Sequence, residues 1–469
     1  MGATLDYCNT SSDLLHRLVA EGLGPLQMAV ERGDRSLPPY VTEELRRYTT
    51  CGDPRGGFGW LVCDTCRHHR LVPFSCKGRG FCPSCGGRRM AARAARWVDH
   101  LLPRVAVRQV VLTVPWQRRW LLARKPDLVR GVLRIGLDVV MGWYREQALA
   151  HGVEDPRTGS VTVVQRFGGA LNLNVHFHTL LLDGVYARDA QSGRLRWHRV
   201  GHPSTRTIEQ LVVRIADRAE EWLSEQGYGT DEEEEPDPDD GQAVLQAAAV
   251  MGRAAMGSRR GRRARRLQVL GGRPYRLPPQ CASCDGYGLH AGVVIGACDR
   301  KGLERLCRYI ARPPLAKSRL ETREDGTVVI RLKQPWADGT GAIQLSRLEL
   351  MERLAALVPP PRKNQVLYHG VLASRAAWRE EIVPQPKRKP RSDHEHTRAI
   401  IRPGLASRRS RWMLWSTLLK RVFEVDGLAC PLCDQPMRLR AVVLPPATLR
   451  VLDRLEQACR GPPQQGAAR

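Results

Sequence analysis

The chain has 469 residues, which exceeds what one ordinary hydrophobic core accommodates and predicts two to four domains. It has 74 lysines and arginines against 48 aspartates and glutamates, a net charge of +26, so we expect a nucleic-acid partner. No apolar run approaches the roughly 18 residues of a membrane span, and no signal peptide is recognisable, which predicts a soluble, cytoplasmic protein. In that reducing compartment the 14 cysteines should be metal ligands or buried thiols.

The pattern along the chain predicts an α+β fold. We expect a central antiparallel sheet with flanking helices, an N-terminal zinc-binding module and a small C-terminal unit of helix and zinc knuckle. The charged stretch at about 229–267 is predicted to be a disordered insertion. The predicted segments are helices at 1–50, a zinc module at 51–92, the main domain at 93–345, a basic linker at 346–407 and a helical C-terminal unit at 408–469.

Four cysteines of the zinc module have the spacing C-x2-C-x15-C-x2-C: Cys63, Cys66, Cys82 and Cys85. Two such pairs can complete a tetrahedral Zn²⁺ site closed to water, and metal binding would supply folding energy to a small module. Nearby Cys and His residues leave open a replaced ligand or a second ion: Cys51, Cys76, His68 and His69. Two further C-x2-C pairs are each half a zinc site, explained equally by metal binding or by turn cysteines: Cys281 with Cys284, and Cys430 with Cys433.

Two histidines occupy one strand of a predicted β-hairpin. The segments "VTVVQRF" and "LNLNVHFHTLLLDG" flank a Gly-Gly turn, and alternation places His176 and His178 on the same polar face. They lie about 6.6–6.8 Å apart along the strand, so both imidazoles can lean toward one ion. The spacing favours a metal site with open positions, typical of Mg²⁺ or Mn²⁺ contacting a phosphate.

A third ligand can come from either of two strands. Gln165 lies on the partner strand, and a long hairpin turn would bring it opposite His176, whereas a two-residue turn would bring it opposite Asn172. His290, on the later strand "LHAGVVIGA", is the alternative. The sequence leaves both open.

A tyrosine lies on a predicted helix that begins at Asp299 and ends before Pro313. Its apolar stripe recurs with helical spacing, and Tyr309 falls at the border between that stripe and a cluster of arginines. Such a tyrosine is either packed at the core edge or a nucleophile toward a bound phosphate. The DNA-binding candidates on and after this helix are Arg305, Arg308, Arg312 and Lys317.

Several of these motifs occur together and in a familiar order: "SCKGRGFCPSC", "QRFGGALNLNVHFHTLLLDGVY", "GLHAGVVIGACDRKGLERLCRYIARPPLAKSRL", "LYHGVLA" and "RVFEVDGLACPLCDQPMRLRAVV". Over about residues 50 to 450 the chain resembles the HUH-class rolling-circle insertion-sequence transposases of the IS91-type group. The segment from His176 to His178 fits the His-hydrophobic-His motif that gives this class its name.

The resemblance implies a divalent-metal single-strand DNA endonuclease with strand-transfer activity, in which Tyr309 forms a 5′-phosphotyrosine link. It implies that the zinc module and the C-terminal unit bind element ends. Some relatives carry a second catalytic tyrosine one turn earlier, where this chain has Arg305, so it resembles the single-tyrosine branch. A second cleavage would then come from the second subunit of a homodimer or follow resolution of the first link. The alternatives are an HUH replication initiator or relaxase, and a non-catalytic zinc-dependent DNA-binding protein.

Overall fold

The computed structural model describes residues 5–7, 13–229, 236–269, 278–385, 421 and 426–460. Within these residues no helix is both long enough and apolar enough to span a membrane. The helices of this part of the chain are α1 (Leu14–Glu31), α2 (Pro39–Tyr48), α3 (Pro83–His100), α4 (Trp116–Arg124), α5 (Pro126–Ala150), α6 (Thr205–Glu225), α7 (Gly241–Met251), α8 (Arg300–Ile310), α9 (Arg347–Leu357), α10 (Arg379–Ile382) and α11 (Ala447–Arg460).

The described strands form four sheets, which confirms the predicted α+β class. The strands are β1 (Leu5–Tyr7), β2 (Phe58–Cys63), β3 (His69–Pro73), β4 (Val107–Thr113), β5 (Gly159–Phe167), β6 (Leu173–Leu182), β7 (Val185–Arg188), β8 (Leu195–His198), β9 (Arg265–Gln268), β10 (Cys281–Cys284), β11 (Tyr287–Ile295), β12 (Leu320–Thr322), β13 (Val328–Arg331), β14 (Thr340–Leu345), β15 (Val366–Gly370) and β16 (Met437–Val443).

The central sheet has six antiparallel strands in the order β10-β11-β4-β6-β5-β15, and the histidine strand β6 lies in its interior. The predicted hairpin of β5 and β6 is present, with residues 168–172 as its turn. This turn is longer than two residues, so Gln165 pairs with His176. The alternation of β6 follows the prediction: Val175 and Phe177 belong to one core, while Leu180 and Leu182 belong to another.

Both faces of the central sheet are covered. The face of Phe177 packs in the large core that also contains residues of α4, α5 and α6. The face that carries His176 and His178 is covered by α3 and α8, through a second core that includes Leu180, Leu303 and Trp97. The tyrosine helix therefore lies over the histidine face of the sheet.

The zinc module and the C-terminal unit form one sheet, in the order β1-β3-β2-β16. The C-terminal strand β16 pairs antiparallel with β2, so that Met437 lies opposite Cys63. The helix α11 packs on the same sheet, where Leu452 and Leu455 contact the cluster around Phe58. The predicted separate C-terminal unit is therefore an integral part of the N-terminal module.

Two predicted segment assignments are wrong where the structure describes them. Much of the predicted disordered insertion is folded, because α7 buries its apolar side chains beneath α9 and β9 pairs with β14. Residues 230–235, which include the acidic run 231–235, lie outside the described residues. The predicted linker contains α9, which is buried from Glu349 to Leu357, and β15, an edge strand of the central sheet. The remainder of that linker, from residue 386, lies outside the described residues.

Candidate functional site

The two histidines of β6 converge on one point. The Nε2 atoms of His176 and His178 lie 3.1 Å apart, and the ring centroids are separated by 4.9 Å. Both residues are buried, at 8% and 4% exposure. The strand brings the rings together as the alternation predicts, and both Nε2 atoms are placed to bind one cation.

Hydrogen bonds fix the orientation of both rings. The Nδ1–H of His176 donates to the carbonyl of Asn174 at 2.9 Å, which leaves the lone pair of Nε2 available. The side-chain Nε2 of Gln109 lies 2.9 Å from Nδ1 of His178 and donates to it in this orientation. His178 then carries its proton on Nε2 and donates it to His176. A half-turn of the Gln109 amide would present Oε1 instead, move the ring proton to Nδ1 and leave both Nε2 atoms able to bind a cation.

Gln165, one of the two predicted third ligands, pairs with His176 across β5 and β6. Its amide nitrogen donates to the carbonyl of Ile310 at 2.6 Å, and its Oε1 atom is buried without a hydrogen-bond partner. A buried acceptor without a partner is costly, and a bound cation would satisfy it. His290 shares the sheet face, since it pairs with Val111, the neighbour of His178. Among the described residues His290 nevertheless forms no group with the two histidines in which all three ligand atoms lie within 4.8 Å of one another.

Tyr309 is presented by α8 above the histidines. Asp299 caps the helix by accepting a hydrogen bond from the backbone of Gly302 at 2.7 Å, as predicted. The predicted apolar stripe is buried in the core beneath: Leu303, Leu306, Cys307 and Ile310. Tyr309 is 37% exposed, and its ring stands perpendicular to that of His178, with the centroids 5.8 Å apart.

Two cations lie over the tyrosine ring. The guanidinium carbon of Arg312 is 4.3 Å from the ring centroid, and Nζ of Lys333 is 4.9 Å from it. Burial, with smaller contributions from the positive charges of Arg312 and Arg119, lowers the pKa of His176 to about 4. Burial also lowers the pKa of His178, helped by His176 and Arg312. The imidazoles are therefore neutral near pH 7, as cation binding requires, and they lie in a positive environment suited to a phosphate.

The other predicted DNA-binding residues differ in their surroundings. Arg305 is exposed on α8. Arg308 forms an ion pair with the buried Glu304 at 3.0 Å, and Lys317 forms one with Asp13. Only Arg312 of the four predicted cations contacts the tyrosine ring among the described residues.

Sequence reasoning missed three residues of the site: Gln109, Arg119 and Lys333. Gln109 lies on the same face of β4 as Val107 and Val111, so a polar residue between two apolar ones could have indicated it from the sequence. Arg119 lies in the first turn of α4, after β4, and Lys333 lies in the loop that follows β13. Nothing in their sequence context distinguishes them from the many other cations of this chain.

The cysteines form two clusters of four rather than the one predicted. Cys51, Cys76, Cys82 and Cys85 form the first cluster, and Cys63, Cys66, Cys430 and Cys433 form the second. The predicted grouping of Cys63, Cys66, Cys82 and Cys85 is wrong, because the two C-x2-C pairs lie at opposite ends of the hairpin of β2 and β3. Cys63 and Cys66 are at its turn. Cys76 follows the far end of β3, about 17 Å away along the strand.

Both clusters have the dimensions of zinc sites. Three sulfur–sulfur pairs of the first cluster lie 3.5–3.9 Å apart and three of the second lie 3.4–3.5 Å apart, and all four sulfurs of each cluster lie within 4.8 Å of one another. A tetrahedral ion with Zn–S bonds of about 2.3 Å separates its ligands by about 3.8 Å, whereas a disulfide requires about 2.05 Å. Backbone amides also point at the sulfurs, as from Gly78 to Cys76 and from Cys85 to Cys82. Four thiolates in this arrangement suit structural Zn²⁺.

The remaining C-x2-C pair does not form such a cluster within the described residues. Cys281 and Cys284 are the first and last residues of β10, three positions apart, so their side chains point to opposite faces of the sheet. The Cys284 thiol donates instead to the carboxylate of Asp285 at 3.3 Å.

Two protein families match this chain. The family described as "Putative transposase" matches residues 159–379, which include the histidine pair, Gln165 and Tyr309. The family described as "Transposase zinc-binding domain", of IS91 type, matches residues 26–114, which include the first cysteine cluster and half of the second. No curated protein and no solved structure matches the chain. Together with the cysteine clusters, the two matches support an IS91-family transposase with an N-terminal zinc-binding domain.

Proposed function

We propose that this transposase cleaves single-stranded DNA at the ends of its insertion sequence and rejoins it through a 5′-phosphotyrosine intermediate. The observation that carries the proposal is the convergence of His176, His178 and Tyr309, with rings 4.9 Å and 5.8 Å apart, under the guanidinium of Arg312. A hydroxyl nucleophile, neutral imidazoles and a cation within one small volume are the groups that phosphodiester cleavage needs.

In the proposed reaction the Tyr309 oxygen attacks the scissile phosphorus and the bond from phosphorus to the 3′ oxygen breaks. The 5′ phosphate stays on the tyrosine, and the departing 3′ oxygen takes a proton to become a free hydroxyl. Arg312 and Lys333 lie over the tyrosine ring and would stabilise the charge that develops on the phosphate. In strand transfer a 3′ hydroxyl attacks the phosphotyrosine and returns the tyrosine to its free form.

The residues present suit a divalent cation. His176 and His178 would bind it through Nε2 and Gln165 through the buried Oε1 that lacks a partner. Bound Mg²⁺ or Mn²⁺ would act as a Lewis acid on the scissile phosphate. Gln165 also holds the carbonyl of Ile310, the neighbour of Tyr309, so the proposed metal ligand and the helix of the nucleophile are directly connected.

With Arg305 in place of a second tyrosine, α8 carries a single tyrosine. We therefore include in the proposal that a second cleavage uses the Tyr309 of another subunit or follows resolution of the first link. The two zinc clusters would fold the N-terminal module that recognises element ends, since arginines surround it: Arg67, Arg70, Arg79, Arg88 and Arg89.

The test is covalent adduct formation. The purified full chain would be incubated with Mn²⁺ or Mg²⁺ and single-stranded oligonucleotides from the element ends, labelled at the 3′ end. We expect the label to remain on the protein, and the adduct to be lost in Tyr309→Phe and in His176→Ala. Tyr368→Phe is the matched control, because Tyr368 is 38% exposed on β15 and should leave the adduct intact.

The outcomes separate the alternatives. Adduct at the wild-type level in Tyr309→Phe would falsify the tyrosine assignment. Binding to true end sequences without any adduct would favour a non-catalytic zinc-dependent DNA-binding protein. Cleavage at a plasmid origin but not at element ends would favour a replication initiator or relaxase.

A further inference from the structure

A cavity of about 360 Å³ lies at the turn between β5 and β6, where Ala170 and Asn172 line it. Two tryptophans line it, and both are unusually exposed for residues of this size: Trp116 at 47% and Trp336 at 38%. Pockets for small ligands have volumes of about 300–1,000 Å³, so this cavity admits a group of nucleotide size. Large apolar side chains left accessible in a cavity favour a flat, stackable occupant.

The positive charge of the cavity favours a negatively charged ligand. Arg263, Arg266 and Arg353 are among the residues that line it, and no aspartate or glutamate is. Arg266 is stacked over Trp336, with its guanidinium carbon 5.1 Å from the ring centroid, and it pairs with Asp338 at 2.6 Å. Arg353 is buried in the floor, where its guanidinium donates to the carbonyl of Ala170 at 2.7 Å. Aromatic rings beside guanidinium groups are the combination that stacks bases and holds the adjoining phosphates.

The cavity is connected to the nucleophile by one short loop. Lys333, whose amine lies 4.9 Å from the centroid of the Tyr309 ring, and Trp336 both belong to residues 332–339 between β13 and β14. The Cα atoms of Lys333 and Trp336 are at most about 11 Å apart, so one short loop supplies both a cation over the tyrosine ring and a wall of the cavity. The other tryptophan, Trp116, begins α4, three residues after Thr113, which pairs with His176.

We propose that this cavity binds one unstacked base of single-stranded DNA, close to the scissile phosphate, between Trp116 and Trp336. This inference rests on the proposed function, since it assigns a base-binding position beside the Tyr309 site. Asn172, which also lines the cavity, brings a side-chain amide able to contact the edge of the base. Double-stranded DNA keeps its bases stacked and does not present one to the cavity, so the cavity favours single strands.

The experiment separates base stacking from backbone contact. In the Tyr309→Phe background, without added divalent metal, fluorescence anisotropy would measure the affinity for a 12-nucleotide single strand and for a strand of the same length made only of abasic residues. We expect the parent to prefer the natural strand. In Trp116→Ala and Trp336→Ala the affinity for the natural strand should fall about tenfold, with the affinity for the abasic strand unchanged. Trp336→Phe should retain most of the preference.

Leu149→Ala is the control, because it removes an apolar side chain of 57% exposure from the end of α5, away from the cavity. It should leave both affinities unchanged. An unchanged preference for the natural strand in both tryptophan variants would overturn the proposal. So would an equal loss of affinity for both strands, which would indicate a structural or phosphate-binding role. Binding here is independent of adduct formation, so failure of this inference and failure of the proposed cleavage are distinguishable.

Discussion

Gln165 lies directly opposite His176 across the pair of β5 and β6, with its Oε1 atom buried and without a hydrogen-bond partner. This relationship distinguishes the two candidate third ligands that the sequence left open. His290 lies on the same face but two strands away, beyond β4. The position and the unsatisfied oxygen both favour Gln165.

We expect Gln165→Leu to weaken Mn²⁺ binding at least about tenfold, because it removes an oxygen ligand of a neutral site. His290→Gln should change it little. Calorimetric titration of each variant with Mn²⁺ would measure the effect. The free energy of unfolding of Gln165→Leu should fall by only about 1 kcal/mol. The variant loses one hydrogen bond to Ile310, which destabilises it, and also removes a buried unpaired acceptor, which partly offsets that loss. The reverse ranking of the two variants would make His290 the ligand.

Arg312→Ala should slow formation of the covalent adduct by roughly 10²–10³-fold, the usual cost of removing a preorganised group that stabilises transition-state charge. The reason is its position over the Tyr309 ring, 4.3 Å from the centroid. Arg305→Ala is the matched control on the same helix and should retain a rate near that of the parent. Single-turnover kinetics with a saturating oligonucleotide would measure both rates. Equal slowing in the two variants would indicate general loss of DNA binding instead.

Cys430→Ser should lower the zinc content of the purified chain from two ions to one, because it removes a ligand of the second cluster and leaves the first intact. We also expect a lower midpoint of thermal unfolding, since β16 is held on β2 beside this cluster. Cys281→Ser should change neither property. Elemental analysis and a thermal melt would provide both values. A zinc content of two in Cys430→Ser would disprove the assignment of this ligand.

Glu352 should make stability depend on pH. Burial raises the pKa of this carboxyl to about 7, above the usual value near 4.3. The folded state therefore binds this proton more tightly than the unfolded state. The contribution of Glu352 to stability is greatest below about pH 4.3, falls as pH rises between the two values and is lost above about pH 7. We expect on the order of 2 kcal/mol to be lost from pH 5 to pH 8.

Glu352→Gln should reduce this loss, because the amide does not titrate, whereas Glu380→Gln, at an exposed position, should behave as the parent. Urea unfolding at several pH values would compare the three proteins. A slope in Glu352→Gln equal to that of the parent would assign the pH dependence to other groups.

The residues that sequence reasoning placed correctly are those governed by local rules. Strand alternation oriented His176 and His178, and helical spacing with a cap and two prolines defined the helix of Tyr309. The partner of the second cysteine pair was not predictable, because the pairing of β16 with β2 joins residues more than 360 positions apart. Likewise, the charged composition of the predicted insertion concealed α7, whose apolar face is buried only when α9 packs against it. The composition of one segment does not indicate which distant segment packs against it.

The second cysteine cluster has a consequence for the biosynthesis of the protein. Cys63 and Cys433 are separated by 370 residues, yet their sulfurs lie 3.5 Å apart. At a translation rate of about 5–20 residues per second, Cys430 and Cys433 are synthesised roughly 20–70 s after Cys63 and Cys66. During that interval the N-terminal sheet of β1, β3 and β2 lacks both its fourth strand, β16, and half of the second cysteine cluster. The C-terminal segment thus completes both the sheet and the second cysteine cluster. A nascent chain interrupted before this segment would leave Cys63 and Cys66 without their partner thiolates and accessible to other metals and to oxidants.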